Sequence, residues 1–327
     1  MPAGPIEPLL AGVAGTRVPW ERVPQGVRAS IEDHLHARVE AAYSQRHGFS
    51  PALAARLRLA DGRGVFVKAM GPDDDTGAPG GQDSYRREAA VSSRLPPGAP
   101  NPALLGHWEA ENWFVLVFED VDGVSPDLPW RKEQLDRVLA TVLAMAEALT
   151  PSPIAAPAAS TPGGNDHWRR LSQEPARLEW VTQKVPWLAG RVPLLAEMET
   201  ATDKACAGSS LLHFDLRADN VLVTSSAVYI VDWPHARVGA PWVDLVYFLP
   251  SVAMQGGPAP QELFWGHPLS TTATREDVLG VLAGFTGFML DGATQPPPPG
   301  LPGLRRFQLA QGVESARWFD QLLKGND

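Results

Sequence analysis

The stretch LLHFDLRADNVLV, residues 211–223, carries Asp215 and Asn220, and the run VYIVD that follows it ends at Asp232. Asn220 leads into the apolar residues VLV, and TSSA then separates them from VYIVD. Two short apolar runs parted by turn residues predict a β-hairpin, which would return Asp232 to the loop that bears the other two side chains. One carboxylate and one amide oxygen could then share a hard cation, while the other carboxylate accepts a proton. This layout suits phosphoryl transfer.

Length and composition predict a globular protein of two lobes. The chain has 327 residues, of which 44% are hydrophobic, and single cores stop growing at about 250 to 300 residues. The net charge of −9 argues against binding to nucleic acid or to a membrane surface. The single cysteine, Cys206, excludes an internal disulfide and favours a reducing compartment, and we expect an inert thiol rather than a nucleophile. Without an N-terminal signal or a long apolar run, we expect a cytoplasmic protein with no membrane partner.

The first part of the chain shows mainly strand patterns. Ser30 begins a capping-type pattern that predicts a helix over residues 30–39. We then predict a meander of three antiparallel strands, VEAAYSQ, ALAARLRLA and GVFVKAM, a helix that opens at Ser84, and two further strands, ALLGHWEA and NWFVLVFE. The turn residues of DVDGVSPDLP follow, so we place a lobe boundary near residue 120.

The second part of the chain is mostly helical by its pattern, beginning with RKEQLDRVLATVLAMAEALT. Two segments, residues 150–164 and 292–303, are rich in Pro and Gly and cannot form regular elements. The first is either a lid or substrate loop or a plain surface connection, and we favour the surface connection.

Several motifs together resemble the protein-kinase fold, and most closely its small-molecule branch. HFDLRADN resembles the catalytic loop H-x-D-x-x-x-x-N, and VDW lies where protein kinases carry D-F-G. VFVKA and YRREAAV resemble the strand lysine and helix glutamate of that fold. HGFSPA is similar to the nucleotide loop of aminoglycoside phosphotransferases, and FEDVDG to their hinge. These pieces lie in order from about residue 43 to residue 250, so we identify the chain as similar to the aminoglycoside phosphotransferase and choline kinase-like family.

The resemblance implies an α+β, bilobal, protein-kinase-like fold with an N-terminal lobe over residues 1–120 and a helical C-terminal lobe over 121–327. It implies that Asp215 orients or deprotonates the acceptor hydroxyl and that Arg217 contacts the transferred phosphate. The further residues it implicates are Asn220 and Asp232 for Mg²⁺, Lys68 and Glu88 for the α and β phosphates, Gly48, Phe49 and Ser50 in the nucleotide loop, and Glu119 and Val121 beside adenine.

The departures from protein kinases favour the small-molecule branch. Phe214 replaces the Arg that senses a phosphorylated activation loop, Trp233 follows the metal Asp, and no A-P-E motif is present. The segment GAPWVDLVYFLP is similar to one that closes the active site of small-molecule kinases, and we expect its Asp244 to hold the catalytic loop by backbone hydrogen bonds. His213 is either a general base or a support for that loop, and we favour the support. We expect Asp219 and Asp122 to be solvated.

The predicted function is transfer of the γ-phosphoryl group of ATP, or of GTP, to a hydroxyl of a small molecule. Aminoglycosides and other antibiotics, amino sugars, choline, homoserine and related hydroxylated amines remain open as acceptors, and the role is either resistance or metabolism. The alternatives are a pseudokinase that binds nucleotide without chemistry and, less favoured, a protein kinase. The Walker motif and zinc motifs are absent from the sequence. The expected assembly is a monomer or homodimer.

One hypothesis concerns the charge of the acceptor. The helical part contains carboxylates that would suit a cationic acceptor, and it also contains tryptophans that would form a stacking wall or part of the core. The carboxylates are Asp166, Glu174, Glu179, Glu262, Asp291 and Asp320, and the tryptophans are Trp168, Trp180, Trp187, Trp265 and Trp318. We expect about three of these five tryptophans in the core.

Overall fold

The computed structural model describes residues 17–45, 52–72, 81–298 and 301–325. The strands are β1 (Val39–Ser44), β2 (Leu53–Leu59), β3 (Gly64–Met70), β4 (Leu104–Ala110), β5 (Trp113–Glu119), β6 (Ser210–Leu212), β7 (Val221–Val223), β8 (Val228–Ile230) and β9 (Arg237–Gly239). The helices are α1 (Gln25–Leu35), α2 (Gln82–Ser92), α3 (Lys132–Ala148), α4 (His167–Gln173), α5 (Pro175–Lys184), α6 (Val192–Met198), α7 (Thr202–Ala205), α8 (Val243–Met254), α9 (Pro260–Trp265), α10 (Arg275–Ala293) and α11 (Leu304–Lys324).

The first half of the chain forms one antiparallel sheet in the order β1-β2-β3-β5-β4. The predicted meander and the two later strands are confirmed. The turn between β4 and β5 contains Glu111 and Asn112, both with positive φ, as a tight turn between right-twisted strands requires.

Helices cover both faces of this sheet. Ile31 and Leu35 of α1 pack with Val115 and Val117 of β5 on one face. On the other face Tyr85 and Ala89 of α2 pack with Phe114, Leu116 and Phe118. Because alternate side chains of β5 are buried on opposite faces, the strand reads as the continuous apolar run WFVLVF.

The predicted helix over residues 30–39 is wrong at both ends. The helix begins at Gln25 after Pro24, and Ser30 lies inside it, where its hydroxyl donates to the carbonyl of Val27 at 2.7 Å. His36 adopts a left-handed conformation (φ 53°) and ends the helix. Val39 therefore belongs to β1 and not to the helix. The second predicted helix begins two residues earlier than expected, at Gln82.

The second half of the chain is a helical assembly with one large core. The long helices α10 and α11 pack against each other, and α8 packs against both. Trp168 and Trp318 are fully buried in this core, Trp180 and Trp187 only border it, and Trp265 is exposed. Two of the five tryptophans therefore lie in the core, one fewer than the three expected. Cys206 is also buried there, and burial raises the pKa of its thiol to about 12, as an inert side chain requires.

Three further features describe the architecture as a whole. The mixed α+β class, with an antiparallel N-terminal sheet and a helical C-terminal part, is confirmed. Two small antiparallel pairs, β7–β8 and β6–β9, flank Asp215 and Asp232 in the chain. Among the described residues, no helix is long and apolar enough to span a membrane.

Candidate active site

The predicted hairpin is present and places Asp232 beside Asn220. A short 3₁₀ turn over Ala218–Asn220 leads into β7, and β7 pairs with β8 in the register Val221 to Ile230. The amide of Val231 donates to the carbonyl of Asn220 at 2.9 Å. The residue that follows, Asp232, has a φ of 72°, a left-handed conformation that Asp adopts more readily than most residues.

Asp215 is held by hydrogen bonds on both carboxylate oxygens. The amide Nδ2 of Asn220 donates to Oδ2 of Asp215 at 3.2 Å and to its backbone carbonyl at 2.8 Å. Nη1 of Arg217 donates to Oδ1 at 3.0 Å. Burial raises the pKa of Asp215, while the Arg217 charge opposes the rise. The carboxylate is thus fixed in orientation and more basic than a solvated Asp.

Asp219 is not the solvated residue that the sequence suggested. Arg217 donates from Nε to Oδ1 of Asp219 at 3.0 Å and from Nη2 to Oδ2 at 3.1 Å. This is a bidentate pair between partly buried side chains, which fixes the guanidinium plane of Arg217 next to Asp215. Asp122, by contrast, is exposed as expected.

Lys68 joins the sheet to the helical half of the molecule. Its Nζ lies 2.6 Å from Oε2 of Glu88 on α2 and 2.7 Å from Oδ1 of Asp232. Burial alone would lower the pKa of Lys68, but the two carboxylates outweigh burial and raise it. Burial raises the pKa of Glu88 to about 7, although the positive charge of Lys68 opposes the rise. Burial would also raise the pKa of Asp232, but Lys68 outweighs burial there and holds the pKa of that carboxyl well below its usual range.

Two buried residues shape the backbone before Asp215. Asp244 on α8 accepts the amide hydrogens of His213 at 2.9 Å and of Phe214 at 2.8 Å, which confirms its predicted structural contact with the catalytic loop. Phe214 has a φ of 67°, unusual for a bulky residue, and its ring lies 4.7 Å from that of Tyr247. Burial raises the pKa of Asp244 to about 6, and the two N–H groups oppose that rise.

The two residues expected to bind a metal form a donor set that suits Mg²⁺. The two hydrogen bonds of the Asn220 side chain are both donated by Nδ2, so its amide oxygen accepts none in the described part of the chain. Asp232 adds a carboxylate that stays ionised because of Lys68. Mg²⁺ prefers such hard oxygen ligands and usually completes its shell with water and phosphate oxygens, so one amide and one carboxylate are a sufficient protein contribution.

The segment after β5, expected to contact adenine, is held by a residue that the sequence did not reveal. Arg56 of β2 donates from Nη2 to the carbonyl of Val121 at 2.8 Å and to that of Gly123 at 3.1 Å, and its Nε lies 3.2 Å from Asp120. Within the described residues the amide hydrogen of Val121 has no partner. Glu119 ends β5 opposite Val65. The predicted nucleotide-loop residues Gly48, Phe49 and Ser50 lie outside the described residues.

A cavity of about 720 Å³ lies beside the Lys68 and Asp215 side chains. Lys68, Asp215, Arg217 and Asp232 lie in its wall. Glu88, Asn220, Glu119 and Val121 are not in that wall, although Glu88 and Asn220 bond directly to residues that are. The structure therefore brings the Lys68, Glu88 and Asp232 group and the Asp215, Arg217 and Asn220 group to one cleft.

Both Pro- and Gly-rich segments contribute to the same cavity. Pro162 and Gly163 belong to the first segment, and Pro298 and Leu301 to the second. The first segment also runs beside β9, where the amide of Ala159 donates to Val238 at 2.8 Å. Of the two interpretations of residues 150–164, the substrate loop is the one that this position favours.

The composition of the cavity wall differs from the sequence-based hypothesis about the acceptor. Of the six carboxylates named above, only Asp291 lines it, and none of the five tryptophans does. The phenylalanines and tyrosines that line it are Tyr85, Phe214, Tyr247, Phe285, Phe288 and Phe307. Those on helices are indistinguishable from ordinary core residues in the sequence, because helical periodicity does not separate a cavity wall from a core.

Comparison with known proteins assigns the family. Residues 56–277 match the model of the phosphotransferase enzyme family, and the chain belongs to that family. The resemblance inferred from the motifs is confirmed, and the protein is a small-molecule phosphotransferase. A search of curated proteins gave no match.

Solved structures share the fold at low sequence identity. Aminoglycoside phosphotransferase APH(4)-Ia superposes with a TM-score of 0.55 at 14% identity, covering 92% of this chain and 99% of its own. An aminoglycoside phosphotransferase from Alicyclobacillus acidocaldarius gives 0.56 at 14% identity, with 94% and 97% covered. A choline/ethanolamine kinase family protein from Mesorhizobium loti gives 0.55 at 13% identity, with 91% and 98% covered. A thermostable mutant of APH(4)-Ia was crystallised with AMP-PNP and hygromycin B.

Proposed function

We propose that this protein transfers the γ-phosphoryl group of ATP to a hydroxyl of a small molecule, with Mg²⁺ as cofactor. The observation that carries the proposal is Lys68, which contacts Glu88 at 2.6 Å and Asp232 at 2.7 Å in the wall of the cavity that Asp215 also lines. The two carboxylates hold the Lys68 ammonium group in place at the cavity wall. A nucleotide bound in the cavity could therefore use this positive charge to bind its phosphate oxygens. The AMP-PNP complex of a structural neighbour supports the choice of an adenine nucleotide.

The roles of the chain's own residues follow from their positions. The acceptor hydroxyl would lie against the free edge of the Asp215 carboxylate, which orients it and takes its proton as its oxygen attacks the γ-phosphorus. The bond from that phosphorus to the bridging β-γ oxygen breaks, and ADP leaves. Arg217, fixed by Asp219, would neutralise charge on the transferred group.

Lys68 would contact the α and β phosphates, and Val121 would donate its amide hydrogen to adenine. Mg²⁺, held by Asn220 and Asp232, would neutralise charge on the phosphates. Gly48, Phe49, Ser50 and Glu119 keep their expected nucleotide contacts as part of this proposal. The division into a nucleotide lobe over residues 1–120 and an acceptor lobe over 121–327 is also part of the proposal.

The acceptor belongs to the proposal only as a hydroxylated small molecule. The neighbouring structures include an aminoglycoside complex and a choline/ethanolamine kinase family protein. These neighbours make hydroxylated amines, including amino sugars and aminoglycosides, one class of candidate acceptors for the assay below.

The Asp215→Asn variant tests the chemistry. We expect phosphoryl transfer to fall by about 10² to 10⁴-fold, the usual contribution of a general base, while the Kd of Mg·ADP stays within a few fold because Asp215 contacts the acceptor and not the nucleotide. Transfer is measured with radiolabelled ATP over a library of hydroxylated compounds, and Kd by calorimetry. The exposed Asp122→Asn variant is the matched control. Near-parental turnover in Asp215→Asn would refute the mechanism, and a wild-type protein that binds Mg·ADP without any transfer would favour the pseudokinase.

A further inference from the structure

The acidic and the basic side chains in the cleft wall differ in whether they form ion pairs within the protein. Each of its three aspartates already has a cationic partner in the protein: Asp215 has Arg217 at 3.0 Å, Asp232 has Lys68 at 2.7 Å, and Asp291 has Arg177 together with Arg170 at 3.4 Å. A polycationic acceptor would have to compete with these built-in partners. The wall therefore offers it no unpaired carboxylate among the described residues.

Two arginines in the same wall are in the opposite situation. Arg237 donates from Nη1 only to the carbonyls of His235 and Ala236, at 3.2 and 3.0 Å. Arg305 donates to the carbonyl of Pro296 at 3.0 Å and to the amide oxygen of Gln308 at 2.8 Å. Neither forms an ion pair with a carboxylate of the described residues. Burial lowers the pKa of both guanidinium groups. The positive charge of Arg87 lowers that of Arg237 further, whereas the negative charge of Asp291 partly opposes the lowering for Arg305.

The surroundings of Arg237 are apolar and pre-assembled. Its guanidinium lies 5.8 Å from the ring centre of Phe214, and Tyr247 stacks on Phe285 with ring centres 4.4 Å apart. Tyr247 and Gln311 line the cavity, and the Tyr247 hydroxyl and the Gln311 amide oxygen have no hydrogen-bond partner among the described residues. Unsatisfied buried polar atoms at a cavity wall are expected where a ligand or water completes them.

We infer that the acceptor is an anionic alcohol, in which an apolar ring or chain carries both the hydroxyl and a carboxylate or similar oxyanion, and that Arg237 and Arg305 bind the oxyanion. The inference rests on the proposed phosphotransferase function and specifies its substrate class. Guanidinium groups bind planar oxyanions through paired hydrogen bonds, and the aromatic wall would bury the remainder of the molecule. The overall charge of −9 does not predict this, because the charge of a cleft is set by the few side chains that line it.

The test compares three probes that share one skeleton and differ in charge. Protein saturated with Mg·ADP is titrated by calorimetry with phenyllactate, phenyllactamide and phenylalaninol, which present a carboxylate, a neutral amide and an ammonium group beside a hydroxyl. We expect phenyllactate to bind at least about tenfold more tightly than phenylalaninol, the effect of one charge-assisted hydrogen bond. Arg237→Gln and Arg305→Gln should each reduce that preference without changing the Kd of Mg·ADP. Arg317→Gln, an exposed arginine on α11 outside the cavity wall, is the matched control.

The other possible results would overturn either the inference alone or the inference together with the proposed function. Tighter binding of phenylalaninol or of hygromycin B, or no binding of phenyllactate below about 10 mM, would overturn the inference. So would arginine variants that bind phenyllactate as the wild type does, or that lose Mg·ADP, since the arginines would then serve the nucleotide. These results leave the phosphotransferase proposal standing if Mg·ADP binds the wild type. A wild-type protein that does not bind Mg·ADP would overturn that proposal and this inference together. The melting temperature of each variant is measured as well, and a value equal to that of the wild type would exclude misfolding as the cause of any loss of binding.

Discussion

His213 supports the catalytic loop as a neutral imidazole. Its Nδ1 accepts the amide hydrogen of Asp215 at 3.2 Å, so its Nε2 carries the hydrogen that is donated to the carbonyl of Val231 at 3.0 Å. The ring is fully buried against Trp233, with ring centres 4.8 Å apart. Because it ties the residue before Asp232 to the backbone of Asp215, this histidine sets the distance between the two aspartates. The support predicted for it is confirmed in these contacts.

The buried imidazole predicts a pH dependence of stability. Burial lowers the pKa of His213 to about 4 from its usual 6.5. Between these values the unfolded chain binds a proton that the folded chain does not, so the stability that this group contributes is complete above 6.5 and is lost as the pH falls towards 4. The slope is at most about 1.4 kcal/mol per pH unit. In His213→Gln this loss disappears, so we expect the difference in melting temperature between wild type and variant to shrink from about pH 7 to about pH 5. Parallel pH curves for the two proteins would contradict the neutral, buried histidine.

The sequence predicted individual site residues only where a motif fixes their spacing. Asp215, Asn220 and Asp232 follow from one loop and one hairpin, so local sequence was sufficient to bring them together. Arg56 and Asp219 were missed or misjudged for a physical reason. Arg56 contacts carbonyls 65 and 67 residues away, and the Arg217 to Asp219 pair depends on the shape of an irregular loop, which has no periodicity to read.

At the level of elements, strands were predicted better than helix ends. Alternating side chains and turn residues located β1 to β5 to within about two residues, since both signals are local. The first helix was misplaced because Ser30 and Asp33 imitate a capping pattern inside a helix that Pro24 begins and His36 ends. Aromatic positions of α8, α10 and α11 were indistinguishable from core, because only the packing of three helices leaves a cavity between them and the catalytic loop.

Arg56 makes a prediction about how β2 supports the hinge. Its guanidinium binds the carbonyls of Val121 and Gly123 and the carboxylate of Asp120. Removing it in Arg56→Met would free this segment, so we expect the Kd of Mg·ADP to rise by about tenfold, the value of one or two hydrogen bonds to a charged group, with little change in kcat. Arg58→Met is the matched control, because Arg58 lies on the same strand and is exposed. An equal loss of affinity in the control, or none in Arg56→Met, would remove the hinge role.

At the scale of the whole molecule, composition indicates a globular protein but does not indicate which charges line the cavity. Length and apolar content predict more than one core, and the described residues form separate buried clusters around the sheet and among the helices. The carboxylates of the helical part suggested a cationic acceptor, yet Glu174, Glu179 and Glu262 are exposed outside the cavity. Most of the negative charge is therefore solvated surface, which affects solubility and long-range attraction more than recognition within the cleft.

The two halves of the molecule meet at Asp232, and this predicts how ligands stabilise the whole protein. A ligand that binds only the folded state adds about 2.7 kcal/mol at a concentration of 100 times its Kd. We expect Mg·ADP to raise the melting temperature accordingly, and EDTA to remove most of that rise, because Asn220 and Asp232 would hold the metal against the phosphates. In Asp232→Asn the Mg²⁺-dependent part of the rise should vanish, while binding of ADP without metal persists through Lys68. Asp136→Asn, which changes an exposed aspartate on α3 paired with Lys132, is the matched control for the loss of one negative charge. A variant at Asp232 that keeps the full Mg²⁺-dependent rise would show that the metal ligand lies elsewhere.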